Sequence, residues 1–479
     1  MTTDMTRRQM LGRTSALGAG IVLAGSIDAI AGPGTALAAT TSPDGYGALV
    51  PDPAGLLSLP PGFHYKVVAR AGQTTLEDVV GPAAAVTPSD ADGTAAFPRV
   101  GGSTLVNNHE IGSNEPFGVP AVAGLTYDPA ARGGTTTIEV DKQGNRLREY
   151  VSVAGTHNNC AGGVTPWGTW LTCEETEDKA GKLVNGVPLT KNHGYVFEVD
   201  PTSQAANLQK AAVPLAFLGR YAHEAVAVDP DTLAIYLTED AASPLGLYFR
   251  WTPPAGFTGG KGSLLALAQS PDGATAGTLQ AMSASQGGVH VTDLSQATAP
   301  GTTYDVTWVD VPDRDGATVS VRKQLTDAQV TRSRKLEGQW WGDSGVYFVA
   351  SFARSDDGSV HEHDGQVWFL DPAAGTITLT TIFGRNPDPS AEGSYDGPDN
   401  ITVSPYGGVI LAEDGEGLSH LVGVTETGTA YALARNEINE SEFTGPTFSA
   451  DGKILFANIQ DPGIVFAITG PWRRHGAPS

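Results

Sequence analysis

Residues 165–175 read TPWGTWLTCEE: a turn containing proline and glycine, a short apolar strand, and an acidic end. The same unit recurs as GGSTLVNNHE from Gly101, DPDTLAIYLTED from Asp229, WGDSGVYFVAS from Trp341, SPYGGVILAED from Ser404 and SADGKILFANI from Ser449. A second strand follows several of them: HGYVFEVDP from His193, GLYFRWTP from Gly246, GQVWFLDP from Gly365 and GIVFAITGP from Gly463. Short runs of β-branched and aromatic residues between turn signals read as strands, and 60 glycines with 32 prolines supply the turns. Helical periodicity is nearly absent outside 262–281. The units are mostly 45–64 residues apart, with one interval of 112 between the third and fourth. The chain is therefore expected to be all-β, a six-bladed β-propeller in one domain over 39–479. An insertion over one face is expected at about 255–335, between the third and fourth blades. A β-sandwich with long loops would explain the strands but not the recurring pairs.

The N-terminus carries an address. Thr6-Arg7-Arg8-Gln9-Met10-Leu11 is a twin-arginine start, an apolar Gly/Ala-rich run follows over 16–31, and Ala36-Leu37-Ala38 is an A-x-A cleavage site. Residues 1–38 thus read as a signal recognised by the twin-arginine export machinery and removed in the mature protein. The expected location is periplasmic, cell-surface or extracellular. No later run is long and apolar enough to span a membrane.

Beyond residue 38 the chain holds 26 basic and 50 acidic side chains. Such a surface disfavours nucleic acid and anionic lipid as partners and suits multivalent cations, although acidity also keeps exported proteins soluble. A monomer acting on a small substrate is expected.

In a propeller the innermost strands line a channel, so strand ends distant in sequence converge. The candidate ends are Asn108-His109-Glu110, Cys173-Glu174-Glu175, Glu239-Asp240 and Glu413-Asp414. Other candidates precede strands: Arg220, Glu224, Arg334, Lys335, Glu337, Asp399 and Asn400. Carboxylates crowded on one axis would repel one another and take up protons unless cations neutralised them. Calcium takes six to eight oxygen ligands of these kinds, so the set reads as a multi-metal site. Arg334, Lys335, Arg220, Asn108 and His109 are candidates to orient an anionic substrate.

The only cysteines are Cys160, in the Gly/Asn-rich stretch NNCAGG, and Cys173, near a strand end. A disulfide between them is one reading in an exported protein. A metal-ligating Cys160 is another, in which small neighbours would let the backbone approach an ion, with Cys173 buried as a small hydrophobe. In a regular strand Cys173 would share a face with Glu175. A thiolate among carboxylates points to a transition metal beside calcium.

NNCAGGVTPWGTWLTCEE, with GRYAHEA, KLEG and PDN, resembles the PhoX-type alkaline phosphatases over most of the mature chain. The resemblance implies an iron(III) pair bridged with calcium ions in the propeller channel, and hydrolysis of phosphate monoesters. By motif, Cys160 resembles the family's iron-ligating cysteine, and Glu175, Glu224 and Glu337 its metal-bridging glutamates. Glu239, Asp240, Asp399, Asn400, Glu413 and Asp414 match calcium ligands less closely, and Glu110 and Glu174 join them as acidic strand ends. Two departures are apparent. The chain looks shorter than those phosphatases, and Lys335, after Arg334, stands where the family's phosphate-binding arginine is expected. Lysine neutralises phosphate as a point charge without a bidentate fork. The alternatives from other classes are a calcium-dependent lactonase-like hydrolase and a non-catalytic propeller that binds a partner.

Overall fold

Six short strands begin at one end of a common centre: Ala91–Arg99, Asn159–Val164, His223–Val228, Leu336–Gly342, Pro398–Val403 and Phe443–Phe448. Each touches the next in chain order, and the sixth touches the first. From each of these inner strands, antiparallel strands step outward in turn. The arrangement is all-β and propeller-like. The structure, a computed structural model, describes residues 45–474 apart from 78–80, 82–83, 113–114, 389 and 391–393. The twin-arginine signal expected at 1–38 lies outside the described residues. No helix among the described residues is long and apolar enough to cross a membrane.

Alternation along the strands explains the core. Between neighbouring strand groups lie separate apolar layers: Val106 and Phe97 with Trp170, Leu171 and Val196 with Leu237 and Phe249, and Tyr248 with Phe348 and Trp368. The circuit continues with Val367 and Ile401, Leu421 and Leu455, and Phe456 with Leu105 and Ile138. The ring is closed by chain ends far apart in sequence. His64–Arg70 pairs with Ile464–Thr469 and completes the sheet begun by Phe443–Phe448. This pairing covers an edge that would otherwise be open.

The segment expected as an insertion over one face is instead partly woven into the sheets. Thr278–Gln286 pairs with Gly246–Thr252, and Thr303–Asp310 pairs with both Thr278–Gln286 and Thr376–Phe383. These pairings join the third and fourth groups into one eleven-stranded sheet. The weak helical signal at 262–281 corresponds to a short α-helix, Ser263–Ala268, and a single 3-10 turn, Gly273–Thr275.

Candidate metal centre

Each inner strand is interrupted by a β-bulge near its start. In five of them the second residue is a potential ligand followed by a small or short residue: Asp92-Gly93, Cys160-Ala161, Glu224-Ala225, Glu337-Gly338 and Asp399-Asn400. A bulge puts two residues opposite one and re-aims a side chain. The small residue allows the strands to close up: a Cβ on Gly93 would lie 2.6 Å from Ala161 Cα, and one on Gly338 2.7 Å from Asn400 Cα. In the sixth strand the place belongs to Thr444, whose hydroxyl donates to the Ala91 carbonyl.

A second tier comes from the neighbouring strands. His109, Glu174, Glu239 and Glu413 end those strands, and each is followed by another acid: Glu110, Glu175, Asp240 and Asp414. The strand-terminal acids are held by neighbouring side chains and amides. Glu174 accepts from His193 Nδ1 at 2.6 Å and from the amides of His157, Gly194 and Tyr195. Glu239 accepts from Arg322 and the Leu247 amide. Glu413 accepts from His420 Nδ1 at 2.8 Å and the amides of Asp396 and His420. Glu174, Glu239 and Glu413, expected among the metal ligands, have oxygens taken by these hydrogen bonds. The acids that follow reach the centre.

There, donor atoms of Cys160, Glu175 and Glu224 lie within 4.8 Å of one another, as do those of Glu224, Glu337 and Asp399, and those of Asp399, Asp414 and Glu442. Glu224 and Asp399 are shared, so the three groups form a chain. Glu110 adjoins it, accepting from Asn158 Nδ2 at 2.9 Å and Gln460 Nε2 at 2.8 Å. Asp92 hydrogen-bonds Glu110, while its Oδ1 is buried without a partner. Burial, then mutual repulsion, pushes the carboxyls of Asp92, Glu175, Glu224 and Glu442 far up from their ordinary range. Burial likewise raises Glu337, partly offset by Lys335. The same causes carry Glu110 to about 7, and Asp399 to about 7 with Lys335 opposing the rise. Acids in such proximity repel one another when ionised, and cations could neutralise that repulsion.

Both cysteines are free, which removes the disulfide reading. Cys160 lies on an inner strand, and its thiol donates to the carbonyl of His223 at 3.3 Å. Cys173 is buried in the apolar layer with Val196, Phe217 and Tyr221. It does not share a setting with Glu175 because the strand ends at Glu174.

The basic candidates separate. Arg220 is buried and donates to the carbonyls of Asp315, Glu177 and Gly316 at 2.8–3.1 Å, so it anchors the turn at 315–316. His109 bonds the Ser89 carbonyl and Thr136 hydroxyl at 2.9 Å, and burial lowers it to about 4. Asn108 holds the bulge carbonyls of Cys160 and Ala161. All three were expected to orient substrate, and all are instead committed to the scaffold. Asn400 braces Asp399 at 2.9 Å and accepts from the Gly445 amide. Arg334 and Lys335 do reach the centre. Arg334 Nη1 stands 3.8 Å from Asp240 and its Nε donates to Asp357 at 2.9 Å. Lys335 Nζ lies 2.9 Å from Glu337.

The sequence profile of the family described as alkaline phosphatase PhoX matches residues 44–149 and 145–463. The chain belongs to the alkaline phosphatase PhoX family. It is accordingly a phosphatase. Among solved structures, PhoX of Pseudomonas fluorescens in complex with vanadate, a transition-state analogue, superposes with a TM-score of 0.64 at 19% identity, covering 87% of this chain and 96% of that one. A gluconolactonase of Xanthomonas campestris gives a TM-score of 0.37 at 11% identity, covering 85% of this chain and 98% of that one. The periplasmic gluconolactonase of Pseudomonas aeruginosa gives 0.36 at 12%, with 83% and 90% covered. Neither likeness carries an argument. No curated protein sequence matches the chain.

The donors fit the metals that a PhoX site implies. Cys160, Glu175 and Glu224 mix one sulfur with carboxylates, as a transition metal accepts. The other two groups are all-oxygen, as calcium prefers. The sequence reading missed Asp92, which lies at the bulge of the first inner strand, and Glu442, which directly precedes the sixth.

Proposed function

We propose that this chain is an exported phosphatase of phosphate monoesters, working at a cation-filled mouth of a six-bladed propeller. The observation that carries this reading is the chain of three donor groups joined through Glu224 and Asp399. The cyclic contact of the inner strands supports six blades, and the sulfur donor supports iron beside calcium. The twin-arginine motif supports export in the folded state.

When bound, the cations would supply Lewis-acid stabilisation of charge developing on a phosphoryl group. The chain's own residues do the rest. Cys160, Glu175, Glu224, Glu337, Asp399, Asp414 and Glu442 would hold the cations, with Glu110, Asp92 and Asp240 as the surrounding negative wall. Asn108, Asn158 and Asn400 fix the ligands' backbone or side chains, which lowers the reorganisation needed during reaction. Arg334, stacked 4.9 Å over Phe352, is the side chain we assign to orienting phosphoryl oxygens, since a guanidinium can donate through several nitrogens. Lys335 would neutralise phosphate charge only from behind the carboxylates that surround it.

The test is elemental analysis of protein exported by its own signal, paired with assays on a phosphate monoester and a lactone. Iron with calcium and monoesterase activity are expected. Calcium alone, with lactone hydrolysis and no monoester turnover, would overturn the reading.

A further inference from the structure

Lys335 precedes an inner strand, and its backbone is in the left-handed region at φ 45°. Asn158 before the second inner strand and Gly397 before the fifth share that conformation at φ 58° and 52°. Asparagine and glycine accept it readily, whereas a long side chain does not. A lysine retained there needs a compensating interaction.

The compensation is visible at the ammonium. Lys335 Nζ lies 2.9 Å from Glu337 Oε1, 3.5 Å from Asp414 Oδ2 and 3.8 Å from Asp240 Oδ2. The three acids belong to the fourth, fifth and third strand groups, so one charge spans three successive sectors of the ring. Asp240 lies outside the three donor groups found around the centre. Its Oδ1 is buried without a hydrogen bond. Three carboxylates from separate strands around one small cation is the arrangement a divalent ion would take.

We infer that the Lys335 ammonium is a resident counter-cation of the cluster, holding Asp240, Glu337 and Asp414 together and keeping a further divalent ion out of the gap between them. This rests on the metal-dependent reading of the site. Lys335 is then a positioning residue: it holds the ligand Glu337 and limits the number of cations the centre takes.

The experiment compares wild type, Lys335→Met and Lys335→Arg. Calcium bound per chain is measured by equilibrium dialysis, and melting is followed in excess chelator. Lys335→Met should bind one more calcium ion than wild type and, freed of calcium, melt lower by on the order of 5 °C. Lys335→Arg should match wild type in stoichiometry. Equal stoichiometry and equal chelated melting in all three proteins would overturn the inference. Should Lys335→Met fail to fold, Lys335→Gln combined with Asp240→Asn removes one charge of each sign. It should fold and bind the wild-type number of ions, and its failure too would overturn the inference, because the loss would not be electrostatic. A wild type that binds no divalent cation would refute the metal-dependent reading instead, while the chelated melting comparison would still judge Lys335.

Discussion

Asn108 donates both amide hydrogens to the bulge that carries Cys160, at 2.7 Å to the Cys160 carbonyl and 2.7 Å to that of Ala161. Its own Oδ1 accepts from Trp170 Nε1 at 2.9 Å. One buried amide therefore ties the first strand group to the second at the point where the thiol is presented. Asn108→Leu would leave two carbonyls and an indole N–H without partners. A loss of roughly 2–4 kcal/mol in stability is expected from unsatisfied buried groups, together with weaker retention of the metal at Cys160. Chemical denaturation and metal analysis check both. Full stability with normal metal content would show that the bulge does not depend on Asn108.

The cysteines should behave differently from each other. Cys160 shares a donor group with Glu175 and Glu224, whereas Cys173 lies among apolar side chains. Cys160→Ala is expected to lose bound iron, any visible thiolate-to-iron absorption and nearly all phosphatase activity. Cys173→Ala should keep all three and lose about 1 kcal/mol of stability, the cost of a small buried void. Iron retained in Cys160→Ala would contradict its role as a ligand.

The repeated strand units and their acidic ends were legible in the sequence because turns and apolar runs are local signals. Which acid of each pair faces the centre was not. Glu174 and Glu175 look alike in sequence, yet His193 captures the first from 19 residues away. Glu413 is captured likewise by His420. The signal that would have found Asp92 is the repeated ligand-then-small pair at the bulge, as in DG, CA, EA, EG and DN. It was obscured because the residue type of the ligand changes at each turn of the ring. Arg220 was misjudged for a related reason: its carbonyl partners come from 95 residues downstream.

Arg220 and Arg334 should now separate in kinetics. Arg220 is buried and anchors backbone, so Arg220→Ala is expected to cost about 2–4 kcal/mol of stability by leaving carbonyls unpaired. Arg334 is partly exposed and borders the centre. Arg334→Ala should change stability by less than about 1 kcal/mol while raising KM for the ester and weakening inhibition by inorganic phosphate. Unchanged phosphate inhibition in Arg334→Ala would remove it from substrate binding.

Without cations, the crowded acids should make stability depend on pH with a definite sign. Glu110 and Asp399 are pushed up to about 7 in the folded chain, against roughly 4 for such groups when unfolded. A group whose folded pKa is raised binds its proton more tightly in the folded state. Its contribution is fully present below the unfolded pKa and is lost as pH rises through the folded one. Metal-stripped protein should therefore melt progressively lower between pH 5 and about 7.5 as those two carboxyls ionise, and the cluster acids that are raised further extend the fall to higher pH. Excess calcium should flatten the slope, because cations stabilise the ionised forms. Glu149 provides an internal contrast. It is also raised to about 7 by burial, but it is held by the Thr87 hydroxyl rather than among the cluster carboxylates. Its share of the slope should persist in calcium and disappear in Glu149→Gln. A melting temperature of the stripped protein that stays level or rises between pH 5 and 7.5 would show that these acids do not meet uncompensated at the centre.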